Sequence, residues 1–153
     1  MPDAASPVVI RPPRPEDRAG WEALWAGYLV FYRAAVPAEV TETTWARLHD
    51  PMVPVHAFVA ERDGALVGLV HYIYHFSTWT AQPYCYLQDL FAAPEARGAG
   101  VGRALIAAVR AKAEADGASR VYWLTQEDNS TARALYDKVA ARTGFIQYKQ
   151  PIL

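Results

Sequence analysis

The densest chemical signal in the chain is Arg97-Gly98-Ala99-Gly100-Val101-Gly102-Arg103. It follows a β-rich run and opens an alanine-rich helical one, so its backbone amides and the helix dipole converge where an anion could sit. Taken alone, such a loop serves equally well as a flexible strand-to-helix connector. Two common nucleotide fingerprints do not fit. A dinucleotide loop needs glycine at 103 or 105, where Arg103 and Leu105 stand, and no Lys-Ser or Lys-Thr pair follows for a P-loop. Downstream, Asn129 and Tyr136 are seven residues apart. On one helix they share a face, roughly 10 Å apart along the axis, where one extended ligand arm could touch both. Tyr136 reads equally as a core aromatic with its hydroxyl at the rim.

Asp89 lies inside an apolar run, where a carboxylate is costly unless paired. It either contacts substrate, serves as a base, or caps a neighbouring backbone group. Its neighbour Gln88 is an uncharged amide that cannot accept a proton as a carboxylate does, and at best positions water or substrate. Strand residues alternate between faces, so Gln88 and Asp89 are not expected to face one reacting group together. His71 and His75 invite a metal reading, but four residues of extended chain separate them by roughly 13 Å, too far to chelate one ion. Cys85, the single cysteine, reads as a packing residue.

These residues need elements to hold them. Val8–Arg11 reads as a short strand stopped by prolines, and Glu16 and Asp17 sit where the first turn of a helix running to about Phe31 favours acidic groups. Pro37 restarts a helical pattern, with Val40, Thr44 and Leu48 on one side, that the prolines at 51 and 54 end. His56–Glu61 and Ala65–Phe76 are β-rich runs joined by Arg62, Asp63 and Gly64, which is hairpin chemistry. Tyr84–Ala92 continues the sheet. A helix over Val101–Asp116 stops at Gly117, and the order then runs strand Arg120–Thr125, helix Ser130–Ala141, strand Phe145–Tyr148. The expected fold is α/β: a mixed central sheet flanked by helices on both faces, with Tyr84–Ala92 and Arg120–Thr125 as central strands.

At 153 residues, 52% hydrophobic and 20% charged, the chain reads as one folded domain over 8–153 preceded by a flexible tail, 1–7. Fifteen basic against sixteen acidic groups give a net charge of -1, so no global field draws it to nucleic acid or an anionic membrane, and any anion site must be local. The most apolar stretch, Leu66–Phe76, is interrupted by Gly68, His71 and His75 and is far shorter than the roughly 20 residues that span a bilayer. One cysteine and no signal-like start suit a reducing compartment, the cytoplasm by default.

The loop together with Tyr86-Leu87-Gln88-Asp89-Leu90-Phe91 before it, Asn129-Ser130-Thr131-Ala132-Arg133-Ala134-Leu135-Tyr136 after it, and Gly144-Phe145 near the end resembles the GNAT superfamily of acetyl-CoA-dependent N-acetyltransferases, in order and spacing, over about Ala57–Tyr148. Within it, Tyr84–Leu90 and Val121–Thr125 are similar to the small diamine-type and the fungal histone or D-amino-acid acetyltransferases. The resemblance implies a GNAT-type sheet with acetyl-CoA in a V between the strands ending near Ala92 and Thr125. Pantetheine would pair with the backbone of Leu90, Phe91 and Ala92, and the pyrophosphate would meet Arg97, Gly98, Ala99, Gly100, Val101, Gly102 and Arg103. Asn129 and Ala132 would join the cosubstrate site, and Tyr136 would protonate the departing thiolate.

The amine would attack directly in a ternary complex, and no metal is implied. Related diamine enzymes carry a glutamate where Gln88 stands, which makes Asp89 the nearest carboxylate that could take the amine's proton. Tyr28, Tyr32, Trp79 and Tyr84 belong to the region where this superfamily builds its acceptor pocket, with Glu39 or Glu42 as a further source of charge for a cationic amine. The expected acceptor is the primary amine of a small molecule such as a polyamine or amino acid. A protein-lysine or histone-type acetyltransferase and a non-catalytic acyl-CoA-binding module are the alternatives. Few residues follow Tyr148, where the superfamily commonly adds a strand, so a homodimer is expected to cover that edge.

Overall fold

The computed structural model describes residues 6–153, so most of the expected tail, residues 1–5, lies outside the described residues. The described chain divides into two compact units, one running to Trp123 and the other Leu124–Leu153. In the first unit, strand β1 (Val9–Arg11) leads through a short 3-10 turn into helix α1 (Arg18–Phe31), followed by α2 (Ala38–Leu48), β2 (Val55–Arg62), β3 (Ala65–His75), β4 (Tyr84–Ala92), α3 (Val101–Ala115) and β5 (Arg120–Tyr122). The second unit holds α4 (Ser130–Val139).

The sheet runs β1-β2-β3-β4-β5, antiparallel except for the parallel β4–β5 pair. The β2–β3 hairpin turns on Asp63 and Gly64, both with positive φ, which matches the twist of the flanking strands. The helix start is set by Asp17, whose carboxylate accepts from the Arg14 amide at 2.6 Å and from both terminal nitrogens of Arg11 at 2.6 and 3.0 Å. Arg11 first of all holds the Asp17 carboxyl below its ordinary range, against the opposing effect of burial.

Helices cover both faces, as expected. Trp21 of α1 bonds to His71 of β3 on one side, where Trp45 of α2 packs on Trp21 at 4.9 Å. On the other side Val101 and Leu105 of α3 press on Gly68, and Tyr74 donates to Asp116 at the end of α3 at 2.6 Å. The core is built from Trp21, Val59, Leu69, Val70, Leu105 and Val109, all fully buried.

Two strand expectations need correction. Arg120–Thr125 is a strand only as far as Tyr122, and it lies at the edge of the described sheet, with β3 at its centre. Phe145–Tyr148 forms no strand: no ladder partner is hydrogen-bonded to it, and without a ladder an apolar run has no β-structure to join.

Candidate active site

Strand β4 carries the site's centre. The β3–β4 register pairs His71 with Asp89 and then Tyr72 with Leu87, so Gln88 is an extra residue, a β-bulge. The strict alternation expected of Gln88 and Asp89 therefore fails here. Opposed residues of a ladder share a face, so Leu87, opposite Tyr72, points to the α3 side, and Asp89, opposite His71, points to the α1 side. Gln88 itself is exposed and Asp89 is 9% exposed.

Around the Asp89 carboxylate the structure gathers His71, Tyr28 and Tyr86. His71 Nδ1 lies 3.0 Å from Asp89 Oδ2, and Trp21 Nε1–H donates to His71 Nε2 at 3.0 Å. Burial pushes the Tyr28 phenol far above its ordinary pKa, and the negative charge of Asp89 and a hydrogen bond to it add to the rise. Tyr86 is raised in the same direction, by burial first, then by Tyr122 and Asp89. Tyr32 packs on Tyr28 at 4.8 Å, and Trp25 stacks on Tyr28 at 5.2 Å. The result is a largely buried carboxylate bordered by aromatic rings, the surroundings in which an alkylammonium is attracted both by charge and by ring faces.

Of the other expected acceptor residues, Trp79 lies in the β3–β4 connection, 74% exposed. Tyr84 is five residues before Asp89, near the start of β4, with the Arg120 guanidinium over its ring at 3.8 Å and His75 and Tyr122 at its edges. Bonds from Ser77 and then Arg120 hold its phenol below the usual range. Tyr74 is on the α3 side, away from Asp89. Glu42 pairs with Arg18, which also lies over Trp21 and Trp45, so its charge is already engaged. A cleft of about 760 Å³ runs along α1, lined among others by Leu24, Gly27, Phe31, Phe91 and Arg97, and Asp89 is not part of its wall.

The edge of β4 that faces β5 is open beyond Tyr86. The parallel ladder ends at Tyr86–Tyr122, while β4 continues to Ala92. Leu90, Phe91 and Ala92 are paired to Val70, Leu69 and Gly68 on their other side only. Next comes the glycine loop. Gly98 and Gly100 have φ of 82° and 77°, a left-handed conformation that side-chain-bearing residues avoid, and a Cβ on either would meet nothing within 4 Å. Gly100 caps α3 with no side-chain hydrogen bond, and the first helical bond runs from the Ala104 amide to its carbonyl. The amides of Val101, Gly102 and Arg103 thus face outward as unused donors at the positive end of the helix dipole. Among the described residues Arg97 and Arg103 enter no ion pair, and Arg97 lies over the Phe31 and Phe91 rings at 5.6 and 5.8 Å. These groups fit an extended ligand with an amide-bearing arm and a phosphate.

In the second unit, Asn129 caps α4 and reaches Thr125 Oγ1 at 3.4 Å, and Ala132 and Tyr136 follow on the same helical face. Cys85 is fully buried, and burial pushes its thiol up to about 12, which leaves it without thiolate chemistry. Among the described residues no three potential metal ligands cluster, and no helix is long and apolar enough to cross a membrane.

Sequence reasoning weighed His71 only as a metal ligand and missed its bond to Asp89; it passed over Trp21 and Trp25, and it quoted Tyr86 in a motif without giving it a place in the site. A signal was present: a histidine in the middle of an apolar strand must find a partner when buried.

A mixed sheet whose parallel β4–β5 ladder stops at Tyr86, with an anion-ready glycine loop at the start of α3, is the architecture of the acyl-CoA-dependent transferase class. The sequence profile of the Acetyltransferase (GNAT) family matches residues 21–141, and the chain belongs to that family. It is an acyltransferase of the acetyl-CoA-dependent N-acetyltransferase kind. A D-amino-acid N-acetyltransferase of Saccharomyces cerevisiae, HPA3, is 37% identical over 145 residues, covering 94% of this chain and 90% of the relative. A thialysine N-epsilon-acetyltransferase of Caenorhabditis elegans is 34% identical over 85 residues, 56% of this chain and 52% of the relative. Among solved structures, the aminoglycoside N-acetyltransferase AAC(6′)-Iy bound to a bisubstrate analog superposes with a TM-score of 0.83 at 18% identity, covering 97% of this chain and 100% of that one. That likeness bears on the fold alone.

Proposed function

We propose that this enzyme acetylates the primary amine of a small molecule, such as an amino acid, a polyamine or a related metabolite, with amine and acetyl-CoA bound together. The observation that carries this reading is the Asp89 carboxylate, largely buried and bordered by Tyr28, which Tyr32 backs, and by Tyr86, which suits a compact cation better than an extended polypeptide. The names of the yeast and worm relatives, both acting on amines of small molecules, point the same way.

Acetyl-CoA supplies an acetyl group activated as a thioester. The open edge of Leu90, Phe91 and Ala92 would hold its pantetheine arm, and Gly98, Gly100 and the amides of Val101, Gly102 and Arg103 would hold its pyrophosphate, with Arg97 and Arg103 adding charge. Asn129 and Ala132 complete the cosubstrate contacts in this reading. Asp89 draws the ammonium in, orients it and takes its proton at a carboxylate oxygen, so that the amine attacks as a neutral nucleophile. Gln88, exposed beside it on the bulge, positions the amine or a water. Tyr136 gives its Oη proton to the departing sulfur. Tyr84 and Trp79 serve the distal part of longer acceptors. The chain works as a homodimer in the cytoplasm, with the exposed Ile146 and Tyr148 near the end of the chain facing a second copy.

The test is release of CoA thiol from acetyl-CoA against a panel of polyamines, D- and L-amino acids and lysine peptides. Amine-dependent release is expected with small amines, falling by about 100-fold or more in Tyr136→Phe, the usual worth of a general acid. Release with lysine peptides alone would overturn the small-molecule acceptor. Full turnover in Asp89→Asn with an unchanged pH profile would overturn the role of Asp89.

A further inference from the structure

His71 is the buried polar group on β3 that the reading above leaves without a task. Only 3% exposed, it has a partner on each ring nitrogen: the Trp21 indole at Nε2 and the Asp89 carboxylate at Nδ1, both at 3.0 Å. The tautomer follows from the chemistry of the first partner. An indole N–H can only donate, so Nε2 must present its lone pair, and the ring proton sits on Nδ1, from which it is donated to Asp89 Oδ2. A second proton on Nε2 would set two N–H groups against each other.

The surroundings hold this arrangement. Trp21 is fully buried between Trp45 at 4.9 Å and Trp25 at 6.5 Å, so its indole cannot swing away, and the Trp25 ring packs against the imidazole at 5.3 Å. A flip of the imidazole would put ring carbons against both the indole N–H and the carboxylate.

Roles are therefore reversed from the familiar hydrolase arrangement, in which a carboxylate orients a histidine base. With Nε2 closed by Trp21, a proton arriving at Asp89 cannot pass through the ring and out the other side. Resting on the reading of Asp89 as the group that receives the amine's proton, we propose that His71 is a positioning residue: fixed by Trp21 as its Nδ1–H tautomer, it pins one oxygen of Asp89 and leaves the other aimed at the amine. The proton then leaves towards the substrate side, not through β3.

Three groups face Asp89: His71 from β3, Tyr28 from α1 and Tyr86 within β4. Both phenols are pushed upward, by burial first, and remain protonated through the assay range.

Nitrogen-15 NMR of the intact protein, with the His71 signals identified by their absence in His71→Asn, reads the tautomer directly. A protonated Nδ1 and a bare Nε2 between pH 6 and 8 are expected, as is loss of that pattern in Trp21→Phe, and an Nε2–H ring or an imidazolium would overturn the proposal. In kinetics, His71→Leu removes the donor. Its kcat is expected to fall about 10- to 100-fold, the worth of one hydrogen bond to a charged group, with the KM for acetyl-CoA unmoved. His71→Asn, whose amide N–H occupies the place of Nδ1, should restore most of that loss, and it carries the test should His71→Leu not fold. If Asp89→Asn is inactive while His71→Leu keeps the wild-type kcat, the positioning role is wrong. If Asp89→Asn keeps full turnover, the error lies in the acceptor reading itself, whatever the tautomer.

Discussion

Gly68 tests the link between sheet packing and the cosubstrate loop. It sits in β3 where α3 comes closest: a Cβ there would lie 2.6 Å from Val101 Cγ1, 3.1 Å from Leu105 Cδ1 and 3.2 Å from the Phe91 carbonyl oxygen. Carbon atoms pack best at about 3.5–4.0 Å, so the methyl of Gly68→Ala overlaps Val101 by roughly 1 Å. Val101 is buried and β-branched, with a stiff χ1, so it cannot rotate aside, and the start of α3 must back away from the sheet. Overpacking of this kind costs about 1–3 kcal/mol, which for a chain of this size lowers Tm by roughly 3–10 °C. Val101→Ala alone removes two buried methyl groups and should cost about 1.5–3 kcal/mol through lost burial and the cavity left behind. Together the two changes add one methyl on β3 and remove two from α3, relieving the clash and partly filling the cavity, so the double variant should recover most of the loss, with a coupling of about 1.5 kcal/mol or more in a double-mutant cycle. Thermal melts of the four proteins give the cycle, and calorimetric titration with acetyl-CoA gives the functional half. Because the Val101 amide is one of the unused donors, Gly68→Ala should weaken acetyl-CoA binding by about 3- to 10-fold, one displaced hydrogen bond's worth. A Gly68→Ala protein that melts within about 1 °C of wild type, or two variants whose losses simply add, would refute the reasoning.

At Gly98 and Gly100, alanine must adopt a left-handed backbone at a cost of about 1–2 kcal/mol each, while meeting no neighbouring atom. Melts should show that modest loss, and acetyl-CoA affinity should fall by more than the melts account for if the open space over these residues is where phosphate sits. Cys85 should resist a thiol reagent at pH 8 in the folded protein and react at once after denaturation, because its thiol is buried and raised to about 12; rapid native-state labelling would contradict its burial. Asp17, whose pKa is lowered by folding, adds stability that is complete above its ordinary value near 4 and is lost as pH falls through the lowered one. Asp17→Asn should therefore be less stable than wild type by about 1.5–3 kcal/mol at pH 7, the worth of hydrogen bonds to a charged group, with the gap closing in acid; a gap independent of pH would exclude the Arg11 pairing as its source. Sedimentation at working concentration should give a dimer mass, and a monomer would remove the homodimer from the functional reading.

Much of what positions the site was legible because it depends on local chemistry. The Asp63-Gly64 turn, both ends of β4, and the stop of α3 at Gly117 are written in residues whose backbone preferences act over three or four positions. The glycine loop was readable for the same reason. The Trp21–His71–Asp89 chain was not, because it needs the register between β3 and β4 across the 76–83 connection, and no residue in that connection announces how the strands will align. Asp89 was recognised as a group needing a partner, yet its partner lies 18 residues away and is one of the two histidines already dismissed for metal binding. The Phe145–Tyr148 run shows the converse: its apolar and aromatic residues favour a strand, but strand formation is a property of a pair, and the described sheet ends at β5.

The bulge at Gln88 makes β4 two strands in one. Before it, Tyr84 and Tyr86 point to the α1 side; after it, Asp89 and Phe91 do, so even numbers hand over to odd ones at a single residue. The residue at 88 is the extra one: with it removed, Leu87 would still oppose Tyr72 and Asp89 would still oppose His71, each on the face it holds now. The bulge therefore does not aim the carboxylate; it adds one exposed side chain beside it, at a place on the strand where the facing residues are set without it.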